Sequence, residues 1–95
     1  MDGQASISAE ILGRYAADAA REIVGVRDLS GRHAVKVTAD DSGVRLELRL
    51  VVEWGASIPR LGRGVQERVR EYLLQMADVD PAVVSVVVDE IGPRE

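Results

Sequence analysis

The sequence predicts an α/β (α+β) domain in which two helices lie on one face of a small mixed or antiparallel sheet. Three patterns carry that expectation. Val44, Leu46, Leu48, Leu50, Val52 and Trp54 alternate with Arg45, Glu47, Arg49 and Glu53, which describes a long strand buried on one face. Ile58, Leu61, Val65, Val69, Tyr72, Leu73 and Met76 recur at helical spacing. Leu12, Tyr15, Ala16, Ala19, Ala20 and Ile23 do the same nearer the start of the chain.

Taken in order, Ala5 and Ile7 alternate with Ser6 and Ser8 and predict a short first strand. Ser8 is suited to cap the first helix, with Glu10 near the positive end of its dipole. The small residues Ala16, Ala19 and Ala20 let that helix sit close to a sheet. Gly25 supplies the left-handed conformation that ends it. Residues 26–34 read as a connector holding the only histidine, His33. Val35, Val37 and Ala39 then alternate with Lys36, Thr38 and Asp40 as a second strand. Asp40-Asp41-Ser42-Gly43 has turn chemistry and joins it to the long strand as an antiparallel hairpin.

The second helix starts near Ser57 to Pro59, where a missing N–H has no helical acceptor to lose. Asp78 to Pro81 ends it, and the mostly β-branched run Val83 to Val88 is the last strand. The predicted order is β-α-β-β-α-β in a single domain, residues 1–95, with an ordered core over about 5–91. Right-handed crossings of such an order give a ferredoxin-like split arrangement. The short first strand leaves an effectively three-stranded sheet as the alternative.

A chain of 95 residues fits one domain with a thin core. Only 3% of residues are aromatic, so the core is aliphatic. Without cysteine there is no disulfide and no thiolate chemistry. No run resembles a signal peptide, and none approaches the roughly 18 apolar residues of a spanning helix. The expected location is therefore cytoplasmic. Net charge is -4, and each half carries 6 basic and 8 acidic residues, so neither half is a basic nucleic-acid module.

One histidine and no cysteine exclude the usual zinc donor sets. Asp40-Asp41 and Asp78-x-Asp80 fall in predicted turns and do not follow the calcium-loop pattern. No serine lies in a nucleophile elbow, and His33 has no evident nucleophile to activate. Gly62-x-Gly64 lacks the lysine of a phosphate loop. These patterns predict no catalytic residue, no metal, no cofactor and no small-molecule substrate.

The surface is more informative. Residues 60–70 carry a local charge of +3, and residues 78–95 carry -4. That polarity suits assembly with another copy or with an acidic partner, and a homo-oligomer is expected. The candidate protein-contact residues on the second helix are Arg60, Arg63, Gly64, Glu67 and Arg70. Val51 and Val87 fall on the otherwise polar sheet face and extend the candidate set. Arg63–Glu67 and Glu67–Arg70 have the spacing of compensating helix pairs. Trp54 alternates with the inward row and is expected to cover one end of the core. The alternative reading is an RNA-binding domain that uses the arginine-bearing second helix, without aromatics on the sheet face for base stacking.

Several segments together resemble the bacterial alkaline shock protein family. Val52-Glu53-Trp54-Gly55, Ile58-Pro59 and Val65-Gln66-Glu67-Arg68-Val69 form the most specific combination. Ile7-Ser8-x-Glu10-Ile11 leading to Glu22-x-x-Gly25-Val26, and the run Val83 to Val88, agree with it. The resemblance spans about residues 3–91. It implies a small non-enzymatic cytoplasmic protein of Gram-positive-type bacteria, linked to cell-envelope stress. It also implies self-assembly, and a peripheral place at the inner face of the cell membrane through a small integral membrane anchoring protein. It carries no catalytic residue and no cofactor.

Overall fold

The computed structural model describes residues 7–93. The elements run α1 (Ala9–Arg21), β1 (Val26–Leu29), β2 (Val35–Asp40), β3 (Gly43–Val52), α2 (Ile58–Ala77) and β4 (Val83–Ile91). The fold class is the one the sequence predicts, two helices over one face of a mixed four-stranded sheet.

The ten-residue β3 organises the sheet. β4 lies parallel to it along one side, with Leu46 beside Val84 and Leu50 beside Val88. On the other side, β2 pairs antiparallel with the first half of β3, from Asp40 opposite Gly43 to Val35 opposite Leu48. Gly43 closes that hairpin at φ 112°, a conformation natural to glycine. β1 pairs antiparallel with the second half, Leu29 opposite Leu50 and Val26 opposite Val52.

β1 corrects the expected connector at 26–34. The six residues of β2 leave the far end of β3 without a partner on that side. Buried backbone groups there need hydrogen bonds, so Val26–Leu29 is recruited despite weak alternation. The predicted strand at Ala5 to Ile7 is not where the fourth strand comes from. Ala5 and Ser6 lie outside the described residues, and Ile7 belongs to no strand.

α1 starts as the sequence indicates, with the Ser8 Oγ accepting from the Ile11 N–H at 3.2 Å. Leu12, Ala16, Ala19 and Ala20 form its buried stripe. α2 buries Leu61, Val65, Val69 and Leu73 and ends at Asp78, whose left-handed φ of 55° lets its N–H reach back to the helix carbonyls. Between the helices and the sheet sit Leu46, Leu48, Leu50 and Val52 of β3 and Val84 of β4, all buried. The helices meet edge to face through Tyr15 and Tyr72, with ring centres 5.8 Å apart. The outer ends of the predicted α2 stripe are not core: Ile58 and Met76 are exposed.

Candidate protein-contact surface

The start of α2 is set by two adjacent turns. β3 stops at Val52, and Gly55 reverses the chain at φ 89°. Beside it, Gly25 turns at φ 101° and its carbonyl accepts the Glu53 N–H at 2.8 Å. A side chain at Gly25 would press into Leu61, whose Cδ1 lies 2.9 Å from the position of a Cβ. Ser57 then begins the helix without a side-chain cap, and Pro59 occupies its first turn.

Between these turns and α2 lies an open cleft of about 660 Å³. Ile23, Val24, Trp54 and Leu61 supply apolar walls, while Glu53 and Arg60 supply opposite charges. Trp54 is 57% exposed and Val24 is 94% exposed. Trp54 therefore corrects the expectation of a core cover. Strand geometry ends two residues earlier, so the period-two pattern no longer aims its ring inward. The glycine immediately after it was the available signal.

A second, smaller groove of about 250 Å³ lies on the opposite flank, between α2 and β4. Ile58, Gly62, Arg63, Val86 and Val88 line it. The two helical glycines face different grooves. No atom lies within 4 Å of a Cβ placed on Gly62, and on Gly64 the nearest would be Ile23 Cγ2 at an ordinary 3.6 Å. Close packing thus demands neither glycine, although each weakens a helix by about 1 kcal/mol relative to alanine. Their effect is to keep both grooves open.

Arg60 and Gly64 line the larger cleft and Arg63 the smaller one, with exposed Glu67 one turn further on. Among the described residues Arg60, Arg63 and Glu67 form no ion pair, so the expected Arg63–Glu67 and Glu67–Arg70 pairs are not made. Arg70 instead donates from Nη1 to the Pro81 carbonyl at 3.0 Å, holding the loop that leads into β4. Gln66 donates to the Val84 carbonyl at 3.0 Å. Arg68 fastens α2 to the end of α1. Its Nε donates to Glu22 at 2.9 Å, its Nη1 donates to Glu71 at 3.2 Å, and its guanidinium lies 5.3 Å from the Tyr72 ring centre. The hydrogen bond to Glu22 raises the Arg68 pKa above its usual value.

Val51 and Val87 lie elsewhere, half-buried in the middle of the sheet. Arg49 sits directly opposite Val87 and two residues before Val51. Its guanidinium makes two 2.8 Å bonds to Asp89, so an ion pair shares the corner with the valines. That pairing holds the Asp89 carboxyl below its usual pKa. Six of the seven candidate residues therefore occupy two grooves, one loop fastening and a separate sheet face, and Glu67 is exposed on α2 outside both grooves. Among the described residues no three metal-binding side chains gather, and no helix is long and apolar enough to cross a membrane.

The sequence model of the alkaline shock protein 23 family, described by a cell envelope-related function, matches residues 1–93. The chain belongs to that family. The resemblance to alkaline shock proteins that the sequence suggested is thus borne out for the chain as a whole. A relative of this family member is the uncharacterized protein YqhY of Bacillus subtilis (strain 168), 32% identical, with the match covering 81% of this chain and 68% of YqhY. Among solved structures, a MamM CTD variant and a copper form of MamM CTD each superpose with a TM-score of 0.62 at 13% identity, covering 90% of this chain and 100% of theirs. A cadmium form superposes at 0.60 with 15% identity, over 93% of this chain and 100% of its own. At that identity the likeness is one of fold: this chain shares their arrangement of helices and strands.

Proposed function

We propose that this family member is a non-enzymatic protein-binding module of the bacterial cell envelope, which self-associates and works at the cytoplasmic face of the membrane through an integral membrane partner. The observation that carries the reading is the first half of α2. Arg60 and Arg63 stand unpaired among the described residues, each beside an open groove with apolar walls. Exposed apolar side chains flanked by arginine are typical of protein contacts. The segment from 78 to 95 carries the opposite charge, -4, which suits a second copy. The outer sheet face supports protein contact over RNA: Lys36, Arg45, Glu47 and Arg49 alternate there, and Tyr15, Trp54 and Tyr72 all lie on other elements.

Light scattering coupled to size exclusion, followed by capture from gently solubilised membranes, tests this. Wild-type protein is expected to assemble with rising concentration and to retain an integral membrane protein. The Arg60→Glu/Arg63→Glu variant is expected to lose both while keeping its fold. A strict monomer at high concentration that captures no membrane protein sinks the proposal.

A further inference from the structure

We infer that the groove between α1 and the open edge of β2 is a docking site for an acidic, extended peptide segment of a partner protein. This site is separate from the α2 surface and shares no lining residue with it.

The groove holds about 440 Å³. One wall is a single stripe of α1, with Glu10, Gly13, Arg14, Ala17 and Arg21 at helical spacing. The floor and far wall come from Leu29, Ala34, Val35 and Val37, with Arg32 on the turn between β1 and β2. The helix stands directly over the strand at Gly13, where a Cβ would make ordinary contact with Val35 Cγ1 at 3.6 Å and Val37 Cγ2 at 3.7 Å. The floor is thus apolar and the rim bears three guanidinium groups against one carboxylate.

Those arginines run against the charge of the molecule, which is -4 overall. Arg21 is shared with Asp18 at 3.5 Å and Asp28 at 3.3 Å. Arg14 and Arg32 form no ion pair among the described residues and are exposed. They come from different elements yet line one groove, which gives an occupant with several negative charges more than one anchor.

The strand edge selects a peptide over a compact anion. Among the described residues β2 pairs only with β3, on one side. The Ala34 carbonyl accepts the Arg49 N–H at 2.8 Å, so Ala34 is turned toward β3. Backbone groups alternate sides along an antiparallel strand, which turns those of Val35, Val37 and Ala39 toward the open edge. An added strand would take up these donors and acceptors and turn every second side chain toward α1, apolar ones over Val35 and Val37 and acidic ones flanking them toward Arg14 and Arg32. The length agrees. From Ala9 to Arg21 the helix wall spans roughly 18 Å, about five residues of extended chain.

The probe is a blocked eight-residue peptide of four valines flanked by two aspartates at each end, so that either strand face carries both kinds of side chain, with the same peptide bearing lysine for aspartate as its opposite. Both are titrated at low salt into the full chain and read by amide chemical shift and hydrogen exchange. The acidic peptide is expected to shift α1 and β2 signals and to protect the amides of Val35, Val37 and Ala39. Its affinity is expected to fall at least tenfold in Arg14→Glu/Arg32→Glu, and less in Arg14→Gln/Arg32→Gln. Absent shifts, an equal response to the lysine peptide, or unchanged affinity in both variants overturns the inference. Titration with inorganic phosphate is the remaining arm: shifts in the same groove without peptide binding make it a small-anion site and overturn the peptide assignment.

Discussion

Arg49 and Asp89, forty residues apart, are joined by two 2.8 Å hydrogen bonds across the parallel pair β3–β4. Parallel neighbours have no hairpin to fix their register, so side-chain pairs of this kind help specify it. The Asp89 pKa is lowered from 3.8, chiefly by the hydrogen bond from Arg49. A lowered carboxyl pKa contributes stability that is present above 3.8 and is lost as pH falls through the folded-state value. Asp89→Asn is therefore expected to be less stable than wild type at pH 7. Urea melts repeated at falling pH should show that difference closing below pH 3.8, and a constant difference would refute the assignment.

Leu48 and Trp54 make opposite predictions although both fall on the same alternating row. Leu48 is fully buried, and Leu48→Ala is expected to cost about 2–5 kcal/mol. Trp54→Ala removes a larger side chain from a position 57% exposed, and is expected to cost well under 2 kcal/mol while weakening partner capture. Denaturant midpoints for the two variants measure this directly. A Trp54→Ala loss as large as that of Leu48→Ala would return the indole to the core.

The glycines separate in the same way. Gly62→Ala meets open space inside a helix and is expected to stabilise by about 0.5–1 kcal/mol. Gly25→Ala meets Leu61 and a φ of 101°, and is expected to destabilise by more than about 1 kcal/mol. Thermal melts of the pair, which should move in opposite directions, distinguish an open groove from a packed turn.

Arg70 is expected to behave as a fastening rather than as a contact residue. Arg70→Met keeps much of the stem but removes the bond to the Pro81 carbonyl, at a cost of about 1 kcal/mol. Self-association measured on the folded variant should change little, whereas Arg63→Met should reduce it. Equal losses of assembly in the two variants would place Arg70 at the interface.

Much of this was legible in the chain. The Ser8 cap, the Asp40–Gly43 turn and the inward row from Leu46 to Val52 follow from local pattern, because each depends on residues a few positions apart. The candidate surface was only partly legible. Arg60, Arg63 and Gly64 do line grooves, but the helix spacing that suggested Glu67–Arg70 could not reveal a carbonyl on Pro81 competing for the same guanidinium. Trp54 was misplaced because alternation was extended past the residue at which the strand ends.

The sequence by itself determined the two helices, the β2–β3 hairpin, the aliphatic core and the family, because periodicity and short motifs are properties of neighbouring residues. Tertiary structure decided the rest. It recruited Val26–Leu29 as a strand because the buried far end of β3 required backbone partners that β2 does not reach. It also decided which arginines are spent on Glu22, Asp89 and Pro81 and which remain beside open grooves, since those partners lie 11 to 46 residues away in the chain.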